Sequence, residues 1–284
     1  MRAVGPGKTA VITGGAAGIG LAAAQRFAAL GMNIAIADLG QARLDAAAAT
    51  IPGTQTLTAH VDVSQLADLQ AFQAAVTDRF CGTDVLMCNA GIQGGSSTLD
   101  PTGWAQVIAV NLWGIIHTCQ TFVPGMIARG QPGMVINTGS KQGITTPPGD
   151  PAYNMAKAGV KVFTEGLEHD LRARDGARIS AHLLIPGFVW TDLTRGERTE
   201  KPAAAWTADQ TADFMMAALA KDDFYILCPD NDVPRALDEK RILWAAQDII
   251  QNRPPLSRWH KDHAQAFQDF TAPDFTAPDF AAKP

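Results

Sequence analysis

Tyr153 and Lys157 are the pair whose residue types and spacing most directly indicate chemistry. They stand four positions apart in Tyr153-Asn-Met-Ala-Lys157, and residues at i and i+4 share one face of a helix. A phenol ordinarily ionises near pH ~10, and a neighbouring ammonium group lowers that pKa because it stabilises the phenolate. Such a pair can therefore pass a proton to or from an alcohol oxygen.

The spacing alone does not establish catalysis, because a Tyr and a Lys so placed also occur as ordinary surface pairs on helices. Ser140 strengthens the interpretation, since it follows an apolar run thirteen residues before Tyr153 and its hydroxyl can bind the same oxygen. The interpretation also depends on a glycine-rich turn at the same end of the predicted sheet.

That turn is Thr13-Gly-Gly-Ala-Ala-Gly-Ile-Gly20, between an apolar strand and a helix. Glycines let the backbone approach a pyrophosphate, and a helix N-terminus offers unpaired N–H groups and a positive dipole end. A strand–helix corner with two glycines would be ordinary, and the spacing is not the common Gly-x-Gly-x2-Gly. Three glycines in this context favour a dinucleotide cofactor, bound by Gly14, Ala17, Gly18, Ile19 and Gly20.

Asp38 stands at the end of the second predicted strand. A carboxylate there can accept hydrogen bonds from both adenosine ribose hydroxyls, and it would repel a 2′-phosphate. The alternative is a solvated loop aspartate. Ala17 and Leu39 are not basic, whereas a 2′-phosphate site needs cations at such positions. We therefore expect NAD(H) as the cofactor rather than NADP(H).

The elements that must position these residues alternate as short β-branched strands and Ala/Leu-rich helices. The predicted strands are 9–13, 33–37, 55–61, 84–88, 133–138, 178–184 and 224–227. The predicted helices are 18–30, 41–49, 65–79, 102–129 (interrupted near Pro124), 151–174, 208–220 and 232–251. Strands without polar alternation, each followed by a helix, indicate an α/β fold: a Rossmann-like, doubly wound parallel sheet of about seven strands with helices on both faces.

One catalytic domain is expected over residues 1–265, because no long linker precedes residue 250, with a tail over 266–284. The tail repeats a short unit that ends in Phe270, Phe275 and Phe280. Repeated proline and low apolar content favour an extended or disordered tail. Anchoring of the three phenylalanines on this or a neighbouring subunit is the alternative.

Charge and composition exclude several classes of function. A net charge of −5 argues against nucleic acid as a partner. The four cysteines form no CxxC pair, so we expect no metal site and interpret them as free thiols in a reducing compartment. No apolar run is long enough to span a membrane, and residues 1–8 lack a signal core. We therefore predict a soluble, cytoplasmic protein.

Together these residues resemble the short-chain dehydrogenase/reductase family over residues 8–192, about two thirds of the chain. The matches run in order: the 13–20 turn, Asp38, Asp62-Val63, Cys88-Asn89-Ala90-Gly91, Asn111, Ser140, Tyr153 with Lys157, and Pro186-Gly187.

The resemblance implies a role for each catalytic residue. Tyr153 would be the acid/base, and Ser140 would polarise the substrate oxygen. Lys157 would also bond the nicotinamide ribose. Asn111 would kink its helix and hold a water that links the lysine to solvent.

The resemblance also implies cofactor contacts. Asp62 and Val63 would contact the adenine, although Asp62 could instead cap the helix that starts near Gln65. The remaining residues would border the cofactor or its nicotinamide end: Asn89, Ala90, Gly91, Pro186, Gly187, Val189 and Thr191. Asn89 would serve structure as well as binding.

The sequence departs from the family pattern at three places. Cys88 replaces a usual Asn, and residues 228–232 with the C-terminal extension replace a short Gly-rich ending. Lys141 follows Ser140, where small residues are usual. It either adds a cation at the pocket mouth that could attract an anionic substrate or simply faces solvent.

Substrate selection is expected in the loops 92–97, 142–150 and 190–206, at the carboxyl ends of the strands. Gln93 and Gln142 are polar candidates for orienting a substrate. Trp190 and Trp206 could wall an apolar site, or they could pack as an ordinary lid over the core.

The pattern therefore predicts an oxidoreductase that transfers hydride between NAD(H) and a secondary alcohol or carbonyl compound. The alternatives are a non-redox enzyme on the same fold, such as an epimerase or dehydratase, and a non-enzymatic dinucleotide sensor. In the resembling family, helices equivalent to 102–129 and 151–174 pair across a two-fold axis. A homodimer or homotetramer is therefore expected.

Overall fold

The strands and helices of the computed structural model follow the predicted ones closely, most bounds agreeing to within one or two residues. The structure describes residues 1–51, 53 and 55–272. The strands in them are β1 Thr9–Thr13, β2 Asn33–Asp38, β3 Thr56–His60, β4 Val85–Cys88, β5 Gly133–Thr138, β6 Ile179–Ile185, β7 Val189–Trp190, β8 Trp206–Thr207 and β9 Tyr225–Leu227. The α-helices are α1 Gly18–Ala29, α2 Gln41–Thr50, α3 Leu66–Phe80, α4 Trp104–Ile108, α5 Gly114–Arg129, α6 Gln142–Thr145, α7 Pro151–Arg172, α8 Asp192–Arg195, α9 Ala208–Ala220, α10 Arg235–Ile250 and α11 Ala264–Thr271.

Seven strands form one parallel sheet in the order β3-β2-β1-β4-β5-β6-β9. The chain runs outward from β1 to β3 and returns to add β4 on the other side of β1, so the predicted doubly wound sheet is confirmed. The loops that follow β1 and β4 leave the sheet in opposite directions, which opens a crevice at their carboxyl ends.

The core explains why the strands show no polar alternation. β1 and β5 are buried over their whole length. Phe27 of α1 and Phe72 of α3 are fully buried, and the Phe72 ring meets that of Phe122 at 5.8 Å between centroids. A sheet covered in this way is a rigid base for loops at its edge.

The predicted interruption near Pro124 is wrong. Pro124 lies inside α5, and the irregular segment is instead a π-helical turn, Ala109–Trp113, that separates α4 from α5. Proline has no backbone N–H, so the carbonyl of Gln120 lacks its helical hydrogen bond. Both Pro124 and Gln120 are exposed, so water can bond that carbonyl. π-turns are frequent at functional sites, and this one contains Asn111.

One described helical stretch, Trp104–Arg129, is long and apolar enough to cross a membrane by length and composition alone. Core helices of globular proteins pass the same test. Its residues Phe122 and Met126 are buried.

The chain divides into two compact units, Met1–Asp232 and Val233–Pro284. The predicted boundary at residue 265 remains a prediction. In the second unit, α10 and α11 pack around Trp244, whose Nε1 donates to Ser257 Oγ at 2.8 Å. The Trp244 ring meets the rings of Phe267 and Phe270 at 5.3 and 5.2 Å.

The prediction of an extended tail is wrong for its first residues, because α11 continues to Thr271. Phe270 is buried, 6% exposed, which agrees with the alternative of anchored phenylalanines. Residues 273–284, with Phe275 and Phe280, lie outside the described residues.

Candidate active site

A cavity of about 800 Å³ lies at the carboxyl edge of the sheet beside β1 and β4. This is a size typical of small-molecule and cofactor sites. The predicted site residues that line it are Gly14, Ala17, Gly18, Ile19, Asp38, Asp62, Val63, Asn89, Ala90, Gly91, Gln93, Ser140, Tyr153, Lys157, Pro186, Gly187, Val189 and Thr191. The structure therefore brings both halves of the predicted site into one cavity.

The glycine-rich turn packs too closely to accept side chains. A Cβ on Gly14 would lie 2.7 Å from the Cα of Ala90, and one on Gly20 would lie 2.1 Å from the Gly14 carbonyl oxygen. Gly20 itself is not among the described residues that line the cavity. Asn89 Nδ2 donates to that same carbonyl at 3.1 Å, so Asn89 holds the turn in place.

The first turn of α1 faces the cavity with free donors. Its N-cap is Ala17, whose side chain caps nothing, so the first N–H groups of the helix keep no side-chain acceptor. Gly18 has φ +52 and lies against Thr191. An uncapped helix N-terminus beside a glycine cradle suits a phosphate group.

Asp38 lies beside the glycine turn. Its Oδ2 accepts a hydrogen bond from Ala16 N at 3.0 Å, and its Oδ1 accepts one from Leu39 N at 2.8 Å. These bonds hold the carboxylate at the end of β2, where it lines the cavity.

Asp62 does not cap the helix near Gln65, which was one of its two predicted roles. Its Oδ1 accepts from Ser64 N at 2.9 Å and from Ser64 Oγ at 2.7 Å. The N-cap Gln65 has no side-chain cap. Asp62 thus shapes the loop before α3 and lines the cavity.

Tyr153, Lys157 and Ser140 meet on the other side of the cavity. Ser140 lies close enough to Tyr153 for its hydroxyl to lower the pKa of the phenol. Lys157 Nζ lies 5.7 Å from the centre of the Tyr153 ring and donates to the Thr138 carbonyl at 2.8 Å. Tyr153 and Lys157 are 8% and 3% exposed, so both reacting groups are desolvated.

The predicted lowering of the Tyr153 pKa is wrong for this structure. Burial raises the pKa of Tyr153 to about 12, the hydrogen bond with Ser140 lowers it, and the charge of Asp150 raises it. Burial also lowers the pKa of Lys157 to about 8. Sequence spacing indicates a lysine neighbour, whereas the burial that raises this pKa depends on the whole fold.

Asp150 belongs to the site although sequence reasoning missed it. It caps α7: its Oδ1 accepts from Tyr153 N at 3.4 Å and from Ser96 Oγ at 2.6 Å. An Asp directly before a proline at the first helical position is a recognisable N-cap signal. The cap fixes the start of the helix that carries Tyr153.

Asn111 is fully buried and is not among the described residues that line the cavity. Its side chain forms two bonds with the backbone of Ile92: Ile92 N donates to Oδ1 at 2.8 Å, and Nδ2 donates to the Ile92 carbonyl at 2.7 Å. The π-turn therefore ties the α4–α5 stretch to the loop after β4.

Lys141 is not solvent-facing, which was one of its two predicted roles, and it is not among the described residues that line the cavity. Its Nζ lies 3.3 Å from Asp230 Oδ2, and the two side chains are 16% and 6% exposed. The partner is 89 residues away, which no local pattern reveals.

Of the four candidate substrate residues, only Gln93 is among the described lining residues of this cavity. Trp190 lines a second, smaller cavity. Trp206 packs on the hydrophobic core and its ring meets Phe214 at 5.8 Å, in agreement with the packing alternative. Gln142 begins the short helix α6.

Arg43 is a lining residue that sequence reasoning missed. It lies on α2, five residues after Asp38, and its guanidinium is 3.7 Å from Asp192 Oδ2. Arg43 is not adjacent to Gly18 or Asp38 in the sequence, and helix α2 brings it back to the same cavity.

The cysteines are not among the described residues that line the cavity. Cys88 and Cys119 are buried free thiols with their sulfurs 3.7 Å apart, and burial raises the pKa of Cys88. Within the described ranges, no group of three or more His, Cys, Asp or Glu side chains could hold a metal ion.

Comparison with known proteins places these observations in a family. Residues 8–202 match the family model for short chain dehydrogenases. The chain is 29% identical to 1-deoxy-11-beta-hydroxypentalenate dehydrogenase from Streptomyces exfoliatus over 267 residues, 89% of this chain and 94% of the relative.

Two solved structures are similar over most of their length. One is a short chain dehydrogenase/reductase from Burkholderia phymatum in complex with NAD, with a TM-score of 0.80, 29% identity, and coverage of 90% of this chain and 98% of the other. The second is an alcohol dehydrogenase from the archaeon Thermococcus sibiricus complexed with 5-hydroxy-NADP, with a TM-score of 0.70, 25% identity, and coverage of 78% and 95%.

Proposed function

The chain belongs to the short-chain dehydrogenase/reductase family, and on that premise we propose that it transfers hydride between NAD(H) and a secondary alcohol or the corresponding carbonyl compound. The observation that carries the proposal is the meeting of Ser140, Tyr153 and Lys157 in one cavity with the glycine turn and Asp38. Similar proteins named dehydrogenases support the reaction class.

A dinucleotide fits the residues present. The close-packed glycines and the uncapped start of α1 suit a pyrophosphate, and Asp38 suits the adenosine ribose. NADH, when bound, supplies the hydride to the carbonyl carbon, and NAD⁺ accepts it in the reverse direction.

The preference for NAD(H) rests on the charge of Asp38, which would repel a 2′-phosphate. Arg43 lines the same cavity, but it lies 3.7 Å from Asp192, so its charge is partly neutralised. One similar structure holds NAD and the other an NADP derivative. The proposal of NAD(H) therefore rests on Asp38.

Tyr153 is the proposed acid/base. Since burial raises its pKa to about 12, the phenol is protonated at neutral pH and can donate its proton to the substrate oxygen as a carbonyl is reduced. Ser140 orients that oxygen. In alcohol oxidation the phenol must first lose its proton, a step that the ammonium of Lys157 assists.

The complete set of Ser140, Tyr153 and Lys157 favours redox chemistry over the two alternatives. A dinucleotide sensor would need the glycine turn and Asp38 but not a buried proton donor beside a buried lysine. Dehydration, or epimerisation by proton exchange at carbon, would need a further acid or base at the substrate carbon. Gln93, the candidate substrate residue on the lining, cannot act as one.

The test is a panel of secondary alcohols with NAD⁺ and of ketones with NADH, followed by the absorbance of NADH. We expect turnover with at least one pair, and tighter binding of NADH than of NADPH. Binding of NADH without turnover of any member would favour the sensor, and tighter binding of NADPH would reject the cofactor assignment.

We further propose that the protein is a cytoplasmic homo-oligomer. Trp113 and Val162, on the two long helical stretches predicted to pair, are 49% and 67% exposed, so each stretch offers apolar surface to a second copy of the chain. Light scattering on Val162→Glu is expected to show smaller particles than the wild-type dimer or tetramer. A monomeric wild type would contradict the proposal.

A further inference from the structure

Lys141 and Asp230 form a buried ion pair next to Ser140. Lys141 Nζ lies 3.3 Å from Asp230 Oδ2, with the side chains 16% and 6% exposed. The pair joins the segment that follows β5 to the segment that follows β9. Each of these segments leaves the sheet at the edge that carries the candidate active site.

The same pair encloses the turn that follows β6. Phe188 N donates to Asp230 Oδ2 at 3.2 Å, and Lys141 N donates to the Pro186 carbonyl at 3.2 Å. A Cβ on Gly187 would lie 2.6 Å from Asp230 Oδ2 and 2.8 Å from Lys141 Nζ. Gly187 does not have a positive φ, so the close approach is set by the two charged groups, which a side chain at this position would have to displace.

Ser140, Pro186 and Gly187 all line the cavity. The charged groups of the pair approach Gly187, and Lys141 directly follows Ser140 in the chain. We propose that Lys141 and Asp230 are positioning residues, which set the distance between Ser140 and the Pro186-Gly187 turn. If the proposed function holds, the two residues thereby fix the position of the substrate oxygen relative to the nicotinamide end of the cofactor.

Stability alone does not account for such a pair. Two buried charges lose much hydration, and well-packed apolar side chains often serve the fold equally well. What an apolar pair would lack is direction. Asp230 Oδ2 receives both Lys141 and the backbone N–H of Phe188, which places the turn at a defined distance from Ser140.

The test is a double-mutant cycle with Lys141→Met, Asp230→Asn and both together. Each single variant is expected to lower kcat about tenfold, because small misplacements of reacting groups cost rate steeply. The Kd of NADH should change by less than about threefold, since the adenosine end is untouched. The double variant should lose about tenfold as well, because its second change acts on a pair already broken.

Arg129→Met is the matched control, since Arg129 pairs with Asp84 at 3.2 Å at the opposite edge of the sheet. It should lower the Tm and leave kcat unchanged. Lys141→Arg keeps the charge, and it should retain most of the wild-type kcat even if the Met variant folds poorly.

Four results would overturn the inference: an unchanged kcat in both folded single variants, losses that multiply in the double variant, an equal loss of kcat in Arg129→Met, or a loss in Lys141→Arg as large as in Lys141→Met. Failure of the proposed function is a separate outcome, because the wild-type protein itself would then not turn over.

Discussion

The two edges of the central sheet use charged side chains in opposite ways. At the amino edge, Asp84 accepts from Thr9 N at 2.8 Å and pairs with Arg129 at 3.2 Å, while Arg129 also donates to the Thr83 carbonyl. At the carboxyl edge, Asp38, Tyr153 and Lys157 line an open cavity. The polar groups named at the amino edge satisfy each other, whereas the three named at the carboxyl edge face a site for ligands.

The difference follows from the strand order. Beside β1 the chain reverses direction across the sheet, so the loops at the carboxyl ends separate and leave a crevice. At the amino ends the connections arrive from helices and close over the strand starts. We therefore expect substitutions at the carboxyl edge to change turnover and those at the amino edge to change stability.

Tyr153→Phe should produce the largest effect at the carboxyl edge. Loss of the hydroxyl removes the proposed acid/base, so kcat should fall by at least ~100-fold while NADH binding is retained. The chain offers one matched control, Tyr225→Phe, because Tyr225 is half exposed and bonds Glu165 instead. Equal activity of the two variants would sink the proposed mechanism.

Asp84→Ala should produce the largest effect at the amino edge. It leaves Arg129 and the backbone N–H of Thr9 without their carboxylate, which should lower the unfolding free energy by about 2 kcal/mol. This figure is smaller than for a fully buried pair because Arg129 is partly exposed. Urea denaturation measures the loss. A kcat changed by more than about twofold in the folded variant would break the division between the two edges.

Lys157→Met tests how burial sets the charge at the carboxyl edge. Burial lowers the pKa of Lys157 from its ordinary 10.5 to about 8, so between these values the unfolded chain binds more protons than the folded one. The contribution of Lys157 to the unfolding free energy therefore rises with pH, and Lys157 destabilises the fold most below pH 8. Between about pH 7.5 and 9.5, the wild type should gain about 2 kcal/mol relative to the variant. Parallel stability profiles would show that the lysine is not desolvated.

Asp38→Asn should have the smallest effect. Removal of the charge that repels a 2′-phosphate should shift the ratio of kcat/KM for NADP(H) over NAD(H) about tenfold towards NADP(H). Asp45→Asn is a suitable control, because Asp45 bonds Gln41 on α2 and is not among the described lining residues. An unchanged ratio in Asp38→Asn would move the basis of cofactor choice elsewhere, with Arg43 the first residue to test.

Most of the fold and the cofactor end of the candidate site could be predicted from the sequence. Continuous apolar strands followed by helices indicate a covered parallel sheet, and the 13–20 turn and Asp38 lie where that sheet opens. The predictions that are wrong concern features that depend on the exposure of a group to water. Pro124 is tolerated because its neighbouring carbonyl reaches water, and α11 forms where an extended tail was expected because Phe270 packs on Trp244.

The sequence by itself determined the chemical groups of the site, because residue type and spacing along a helix or turn are local properties. Tyr153 and Lys157 share a helix face whatever surrounds them. Only the tertiary structure decided that burial raises the pKa of Tyr153, and that Lys141 pairs with Asp230. Desolvation and long-range partners depend on what the whole fold packs around a group, and local spacing does not contain that information.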